Sequence, residues 1–418
     1  MHEILEIFKE ITTIEHCSFH TQKLKKYLIN KANEYGYKVQ KDKAGNILAS
    51  SSHPKIALQA HYDMVCVGKA PKIETYQEEG WLKAKDSSLG ADNGIALAMI
   101  LYLMSKNAPI EALFTNDEEV GLIGANNLEL NIQSPYLLNL DSEDEGEVFI
   151  GCAGGVDLEL TKEFKKISKE SNLYELQSKG FSGGHSGVDI DKNIANAIIQ
   201  AAYYLKEHNA LVSSLKGGEK INSIPVSFKA LVAANSLEEQ KHFKLKKTTK
   251  EAIVYDSSFL DDIINFPNGV LEYNKEFDVV ESSSNLALID FSDGVLKIEI
   301  SMRSLDNQKL QTLAKEALKY WESRGYSAKL HGKYPAWKPE YNNFAKLVEK
   351  NLAKVFKTPK VKVIHAGLEC GILKEKMPHV EFASIGPTIK YPHSVNEKLK
   401  IDSVFKTYEV LESIINEL

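Results

Sequence analysis

The segment IALQAHYD (56–63) is the most informative stretch of the sequence for the fold and the site. It begins as a short, mostly apolar run of strand length and reaches His61, with Asp63 two residues later. Because side chains alternate across a strand, residues two apart lie on the same side. The spacing therefore predicts an imidazole and a carboxylate together at a strand end, as in a metal ligand with its orienting partner. Chance is the competing explanation.

The segments on both sides of this strand alternate between two patterns. Helical periodicity runs over 21–36 and 94–106, whereas IEALFTND (110–117) and PYLLNLD (135–141) are short runs of strand length. Such alternation predicts an α/β fold built on a sheet.

The middle of the chain has a different pattern. A strand-like run (295–302) and an amphipathic helix (307–325) follow each other there without the regular alternation, which returns after Pro335. We therefore expect a discontinuous catalytic domain, residues 1–156 and 337–418, with an inserted α+β lid at 157–336.

The composition predicts a soluble globular protein. Of 418 residues, 43% are hydrophobic and 26% charged, and the net charge of −6 does not indicate a nucleic-acid-binding protein. The basic run 241–250 is local, and we expect a solvated helix face or loop there. The longest apolar run, 95–104, has about half the length of a membrane span. The N-terminal segment lacks the layout of a signal peptide, so no membrane partner is expected.

The four cysteines show no paired spacing; they are Cys17, Cys66, Cys152 and Cys370. This pattern predicts free thiols in a reducing cytoplasm and argues against disulfides and against a thiolate zinc site.

Acids and a histidine collect at the predicted strand ends. Three separate runs end at His61, at Asp117, Glu118 and Glu119, and at Asp141, and Asp92 stands just before a helix. Because open α/β sheets bind ligands at the carboxyl ends of their strands, we expect these side chains to converge.

The donor types at these ends indicate a metal site. Imidazole and carboxylates without cysteine suit zinc or manganese at a hydrolytic centre. Several carboxylates would repel one another unless cations neutralised them, and two ions about 3.5–4 Å apart that share one carboxylate would hold this number. A second histidine is available as His393, in the loop GPTIKYPHSVNE (386–397).

Each feature also has an ordinary explanation. A lone strand-end histidine is commonly a surface residue, Asp92 or Asp141 alone could cap a helix, and 117–119 alone could be a solvated turn. The segment GGHSG (183–187) alone could be a flexible loop. Their clustering at strand ends of one predicted domain favours a site.

Several motifs together resemble a known family. They are LQAHYDMV (58–65), GADNGIALA (90–98), DEEVGLIGA (117–125), NLDSEDEGEVFIGCAGG (139–155), GGHSGVDI (183–190), HAGLECG (365–371), SIGPTI (384–389) and PHS (392–394). In this order they resemble the aminoacyl-histidine dipeptidases, also called Xaa-His dipeptidases or peptidase D, of the co-catalytic dizinc metallopeptidase class. The resemblance covers most of the chain and is weak between about 235 and 290.

The resemblance implies a mixed-sheet, three-layer α/β/α catalytic domain whose inserted domain is a lid that also dimerises. It implies two Zn²⁺ per subunit, with Mn²⁺ or Co²⁺ as substitutes, a cytoplasmic homodimer and small peptide substrates. The reaction would be hydrolysis of dipeptides of the Xaa-His or carnosine-like type, with a broader range that includes Cys-Gly left open.

The resemblance also implies roles for single residues. His61 and Asp141 would bind one metal and Glu119 and His393 the other, with Asp92 bridging the two. Glu118 would be the general base, Asp63 would orient His61, and His185 would stabilise the oxyanion. The substrate would contact Asn222, Arg303 through its carboxylate, and Glu369 through its amino group. Asp117 receives no role.

Two rival functions remain open at this stage. A tripeptide aminopeptidase or an N-acyl amino acid deacylase would use the same scaffold and metals. A metal-binding protein without catalysis is the remote alternative, and the pair Glu118 and Glu119 argues against it, because such a protein has no need of an unliganded base.

Overall fold

A computed structural model describes residues 2–167, 172–249 and 251–418 of the chain. The chain divides into two compact units. The first runs to Cys152 and resumes over Trp337–Val363 and Leu368–Leu418, and the second consists of Ala153–Ala336 and Ile364–Gly367. That the second unit acts as a lid and dimerisation domain stays a prediction.

The described residues form the following helices and strands. The helices are α1 (His2–Thr12), α2 (Gln22–Glu34), α3 (Ala91–Ser105), α4 (Ile123–Asn126), α5 (Ala197–Glu207), α6 (Phe259–Asn265), α7 (Asn307–Glu322), α8 (Asn343–Val355), α9 (Glu369–Lys376) and α10 (Ile401–Glu417). The strands up to residue 178 are β1 (Lys38–Lys41), β2 (Ile47–Ser50), β3 (Ile56–His61), β4 (Thr75–Glu78), β5 (Trp81–Ala84), β6 (Ile110–Thr115), β7 (Tyr136–Asn139), β8 (Glu147–Cys152), β9 (Gly154–Glu163), β10 (Lys166–Ile167) and β11 (Asn172–Ser178). The later strands are β12 (Gly184–His185), β13 (Leu211–Gly217), β14 (Ser223–Ile224), β15 (Phe228–Ala234), β16 (Phe243–Thr248), β17 (Val254–Tyr255), β18 (Gly269–Asn274), β19 (Val279–Ser292), β20 (Val295–Ser304), β21 (Ser327–Tyr334), β22 (Lys360–Ile364), β23 (Glu381–Ser384), β24 (Ile389–Lys390) and β25 (Lys398–Lys400).

The first unit is built on a mixed sheet, which confirms the predicted α/β class. The strand order is β1-β2-β6-β3-β7-β23-β8-β22. The four central strands β6, β3, β7 and β23 run parallel, and β1, β2 and β8 pair antiparallel at the sides. Strands β3 and β6 are buried along their whole length, which explains why they read as nearly continuous apolar runs.

The parallel register brings the predicted strand ends together. His61 lies beside Thr115 across β3 and β6, and Gln59 lies beside Asn139 across β3 and β7. The residues that follow these ends, including Asp141, therefore leave the sheet at the same edge. Helix α3 starts from this side with an almost fully buried sequence, and it packs on α1 and β3.

The second unit has its own sheet and core. Its main strand path is β16-β11-β15-β13-β19-β20-β9-β21, antiparallel throughout. Helix α7 packs on β9, β20 and β21 through Leu310, Ala314, Ala317 and Trp321, whose three- and four-residue spacing forms one apolar stripe. Its first turn is capped by Asp306, which accepts hydrogen bonds from two backbone N–H groups.

The prediction for the basic run 241–250 was wrong about its conformation. Residues of this run form β16, an edge strand that pairs with β11, rather than a helix face or loop. Its lysines Lys244, Lys246 and Lys247 are exposed, and lysines on an edge strand oppose pairing with another sheet. Lys250 lies outside the described residues.

The prediction that the chain has no disulfide was also wrong. Cys17 and Cys66 form a disulfide with a Cα–Cα distance of 5.5 Å. The pairing arises because the segment after α1 returns beside the exit of β3, where Cys17 bridges to Met64. Cys152 and Cys370 are free and buried, and burial raises the pKa of Cys152 to about 11.

Within the described part of the chain, no helix combines the length and the apolar character that crossing a bilayer requires.

The disulfide should be detectable and should stabilise the fold. We expect mass spectrometry of non-reduced protein to find Cys17 linked to Cys66. Cys17→Ser should lower the free energy of unfolding by about 4 kcal/mol, because the bond closes a loop of 49 residues in the unfolded chain. Denaturant titration measures this, with the double variant Cys17→Ser, Cys66→Ser as the control that a reductant should not affect further. Alkylation of all four cysteines without a reductant would contradict the pairing.

Candidate metal centre

The Asp92 carboxylate lies between two histidines from distant parts of the chain. Its Oδ1 is 3.1 Å from Nε2 of His61, and its Oδ2 is 3.1 Å from Nε2 of His393. The side chain does not cap α3, whose N-cap residue is Gly90. A carboxylate that turns each oxygen towards a different imidazole is arranged as a bridge between two metal ions would require.

Two groups of possible ligands share this carboxylate. The first is His61, Asp92 and Asp141, and the second is Asp92, Glu119 and His393, with the ligand atoms of each group within 4.8 Å of one another. Nε2 of His61 is 3.4 Å from Asp141 Oδ1, and Nε2 of His393 is 2.9 Å from a Glu119 oxygen. Each group offers one imidazole and two carboxylates, a donor set that suits zinc.

The electrostatics of the cluster also fit bound cations. Burial raises the pKa of Asp141, and burial with the nearby charge of Asp92 raises the pKa of Glu119 to about 7. Burial opposes ionisation of Asp92 as well, but hydrogen bonds with His393 and His61 outweigh it and lower its pKa. So many buried carboxyl groups ionise together only beside positive charge, which two divalent ions would supply.

Glu118 stands beside these groups but belongs to neither of them. Its nearest possible ligand group is a third one, with His61 and Glu119. Burial raises the pKa of Glu118 well above the usual range, and the negative charges of Glu119 and Asp141 add to the effect. A carboxyl group with a raised pKa next to a metal centre can take up and return a proton.

Asp63 lies beside the His61 imidazole, as the sequence suggested, and it also binds the loop that carries Glu118 and Glu119. Nδ1 of His61 is 3.0 Å from the Asp63 backbone oxygen and 3.5 Å from its carboxylate. The carboxylate itself accepts hydrogen bonds from the N–H groups of Glu118 (2.8 Å) and Glu119 (3.3 Å) and from the Ser18 hydroxyl (2.8 Å). Asp63 thus links the His61 strand end to the loop that carries both glutamates.

Asp117, which received no role from the sequence, ties the same loop to the N-terminal segment. Its Oδ1 accepts the Phe19 N–H at 2.6 Å, and its Oδ2 accepts the Asn116 amide at 2.7 Å. The residue has a φ of 51°, a left-handed conformation that aspartate tolerates better than most side chains. Asp117 is therefore a structural residue of the turn between β6 and α4.

Glu369 is fully buried at the start of α9. One carboxylate oxygen accepts hydrogen bonds from Gln59 and Thr115, both at 2.6 Å, and the other has no hydrogen-bond partner among the described residues. Burial raises its pKa to about 7. Sequence reasoning missed Gln59 and Thr115; the signal was two polar side chains inside otherwise apolar strands. Contact of Glu369 with a substrate amino group stays a prediction.

The remaining predicted residues, His185, Asn222 and Arg303, belong to the second unit. Nδ1 of His185 accepts hydrogen bonds from the N–H groups of Gly187 (3.0 Å) and Val188 (3.2 Å). A ring nitrogen that accepts carries no proton, so the neutral ring is protonated on Nε2. Asn222 is exposed, and its backbone oxygen accepts the Ser186 N–H at 2.9 Å.

Arg303 is a buried cation on β20. Its Nη1 donates to the Tyr334 hydroxyl at 2.7 Å, and no carboxylate of the described residues forms an ion pair with it. The Tyr334 ring occupies space that Gly155 leaves open, because a Cβ there would lie 2.5 Å from the ring. A buried guanidinium that forms no ion pair with the described carboxylates favours binding of an external anion.

Comparison with known proteins gives consistent matches. The model of peptidase family M20/M25/M40 matches residues 57–417. The cytosol non-specific dipeptidase of Escherichia coli (strain K12) is 32% identical over 472 aligned residues, 99% of this chain and 97% of that protein. Aminoacylhistidine dipeptidase from Vibrio alginolyticus has a similar structure, with a TM-score of 0.83 and 30% identity over 100% of this chain and 96% of the other. A tripeptidase from Staphylococcus aureus subsp. aureus mu50, with a TM-score of 0.62 and 17% identity over 100% and 98%, shares the fold.

The shared position of Asp92 predicts how metal stoichiometry responds to substitution. Asp141→Asn removes a ligand from one group only, so we expect one of two ions to remain tightly bound. Asp92→Asn removes a ligand from both groups and should lower the affinity of the protein for both ions. Metal content after dialysis against a zinc buffer measures this, with Asp293→Asn at an exposed turn as the control. Equal stoichiometry in Asp92→Asn and Asp141→Asn would contradict the shared ligand.

Proposed function

Because the chain belongs to peptidase family M20/M25/M40 and is a metal-dependent peptidase, we propose that it hydrolyses dipeptides at a pair of zinc ions. The observation that carries this proposal is the Asp92 carboxylate, with one oxygen towards His61 and the other towards His393. Glu118 lies beside that pair and outside both ligand groups, where a general base is needed.

His61, Asp92 and Asp141 would hold one ion, and Asp92, Glu119 and His393 the other. When bound, the ions supply Lewis acidity towards a water molecule and the scissile carbonyl. Zinc fits the mixture of imidazole and carboxylate, and Mn²⁺ or Co²⁺ are substitutes because metal choice also depends on availability.

Glu118 performs the proton transfers. Its carboxylate accepts a proton from the attacking water and later delivers that proton to the leaving amine. Asp63 holds the Glu118 amide at 2.8 Å, so the position of the base depends on the same residue that lies beside His61. The double use of one carboxyl group requires that it stay off the metals.

Residues of the second unit contribute to substrate binding in this proposal. Hydrogen bonds to Nδ1 leave the proton of neutral His185 on Nε2, a donor suited to a developing oxyanion. Arg303 pairs with the free carboxylate of the substrate, and Asn222 holds the peptide. Pairing with Arg303 requires a substrate with a free carboxylate, which dipeptides have.

The names of the relatives support the substrate class. One is described as a non-specific dipeptidase and another as an aminoacylhistidine dipeptidase, so we propose dipeptides that include the Xaa-His type. The cytosol relative supports a cytoplasmic location. The protein is proposed to act as a homodimer, as the resemblance of its sequence implies.

A peptide panel tests the function. After chelation, restored Zn²⁺ or Mn²⁺ should permit cleavage of Xaa-His, Gly-Gly and Cys-Gly dipeptides, measured as free amino acids. A dipeptide amide should be cleaved more slowly, because it cannot pair with Arg303. Cleavage mainly of a tripeptide or an N-acyl amino acid would retain the metal chemistry but refute the dipeptide assignment, and no cleavage by the metal-loaded protein would refute the enzyme.

Glu118→Gln tests the base. The amide keeps the shape of the side chain but takes up no proton, so kcat should fall by about 10²–10⁴-fold while metal content stays at the wild-type value. Steady-state kinetics and metal analysis on the same sample separate the two effects. Near-normal kcat would remove Glu118 from the mechanism, and loss of metal would make it a ligand.

A further inference from the structure

Glu397 is a buried carboxylate that no part of the proposed mechanism uses. It follows His393 by four residues and is 3% exposed. One of its oxygens accepts the N–H groups of Leu89 (2.7 Å) and Gly90 (3.1 Å), and the other accepts those of Ala91 (2.8 Å) and Asp92 (3.3 Å). Four consecutive amides of the segment that carries Asp92 therefore point at one side chain.

Among the described residues, these amides have no other hydrogen-bond partner. Leu89 and Gly90 precede α3, and Ala91 and Asp92 are its first two residues, where N–H groups lack partners within the helix. Asp92 and Asn93 also depart from helical backbone angles, so the helix itself does not fix this segment. The segment is bent tightly at Gly90, which has a φ of 71°, and a Cβ there would lie 2.9 Å from Met64 Sδ. Glu397 supplies the acceptor that this conformation requires.

The hydrogen bonds that hold the Glu397 side chain come from backbone amides. Among the residues that the structure describes, no lysine, arginine or histidine forms an ion pair with it. Loss of these four hydrogen bonds would leave the buried carboxylate, or the row of buried N–H groups, without partners. Either result costs free energy. The contact is therefore specific to this carboxylate and this segment.

We infer that Glu397 is a positioning residue for the metal centre, which fixes residues 89–92 so that one Asp92 oxygen faces His61 and the other faces His393. The inference rests on the proposed function. Glu397 and His393 lie on one short segment, so the same stretch of chain supplies a ligand and holds the bridging residue against it. The 3.1 Å approach of Asp92 to His393 is set by this shared segment. Asp63 has the same relation to the Glu118 and Glu119 amides.

Glu397→Gln tests the inference. Glutamine keeps the shape, but its NH₂ group would face two N–H donors and repel them, so the Asp92 segment should shift. We expect zinc affinity to fall by about 10–100-fold, the usual effect of losing a residue that orients a metal ligand. Competition with a chromophoric chelator measures affinity for each ion, and thermal unfolding of the metal-free protein measures stability in the same samples.

Glu111→Gln is the matched control. Glu111 is also fully buried in the first unit and accepts the N–H groups of Gln133 (2.8 Å) and Ser134 (2.9 Å), but it lies at the start of β6, away from the ligands. Both substitutions should lower stability by similar amounts, whereas only Glu397→Gln should lower zinc affinity. If Glu397→Gln does not fold, Glu397→Asp, which keeps the charge and shortens the reach, gives the same comparison.

Wild-type affinity in Glu397→Gln, or an equal loss in both variants, would overturn the positioning role while leaving the proposed function intact. Failure of the wild-type protein to bind two ions would instead refute the proposed metal centre, and with it this inference. Reduced affinity confined to the Glu397 variants would support it.

Discussion

Everything at the metal centre depends on Asp92 facing two imidazoles at once. His61 and His393 approach its opposite oxygens from 31 and 301 residues away in the sequence. The acids around this contact are buried, and their raised pKa values reflect the cost of crowding carboxylates away from water. The parallel strands of the sheet end at one edge, so the acidic residues that follow them lie close together. Binding of cations would turn that cost into affinity.

Neutral backbone amides, rather than lysines or arginines, hold the segments that carry the ligands. Asp63 accepts two amides of the glutamate loop, and Glu397 accepts four amides at the start of α3. Such bonds are directional and strong when the acceptor is charged, but they add no positive charge. These amides therefore fix the geometry of the cluster without adding positive charge to it, so its acidic side chains stay available to bound cations.

The N-terminal segment is an unexpected part of this arrangement. The Ser18 hydroxyl donates to Asp63 and the Phe19 amide to Asp117, and the Cys17–Cys66 disulfide joins that segment to the exit of β3. Cytoplasmic glutathione keeps most thiols reduced, so the disulfide and the proposed cytoplasmic location make opposite demands on these two cysteines. The hydrogen bonds from Ser18 and Phe19 are contacts of the same segment that do not involve either cysteine.

The sequence by itself determined the α/β class and the candidate ligands at the strand ends. Both follow from local rules, because side-chain alternation and strand length are readable over a few residues. It could offer His393 only as a candidate, and it gave no sign of Glu397, since hydrogen bonds across hundreds of residues leave no spacing to read. For Gln59 and Thr115 it offered only their polarity within apolar strands, without their partner Glu369. The same limit explains the missed Cys17–Cys66 pair. For 241–250, sheet pairing with β11 decided a strand that composition alone did not indicate. Tertiary structure decided which distant segments meet, because only packing of the whole unit sets those distances.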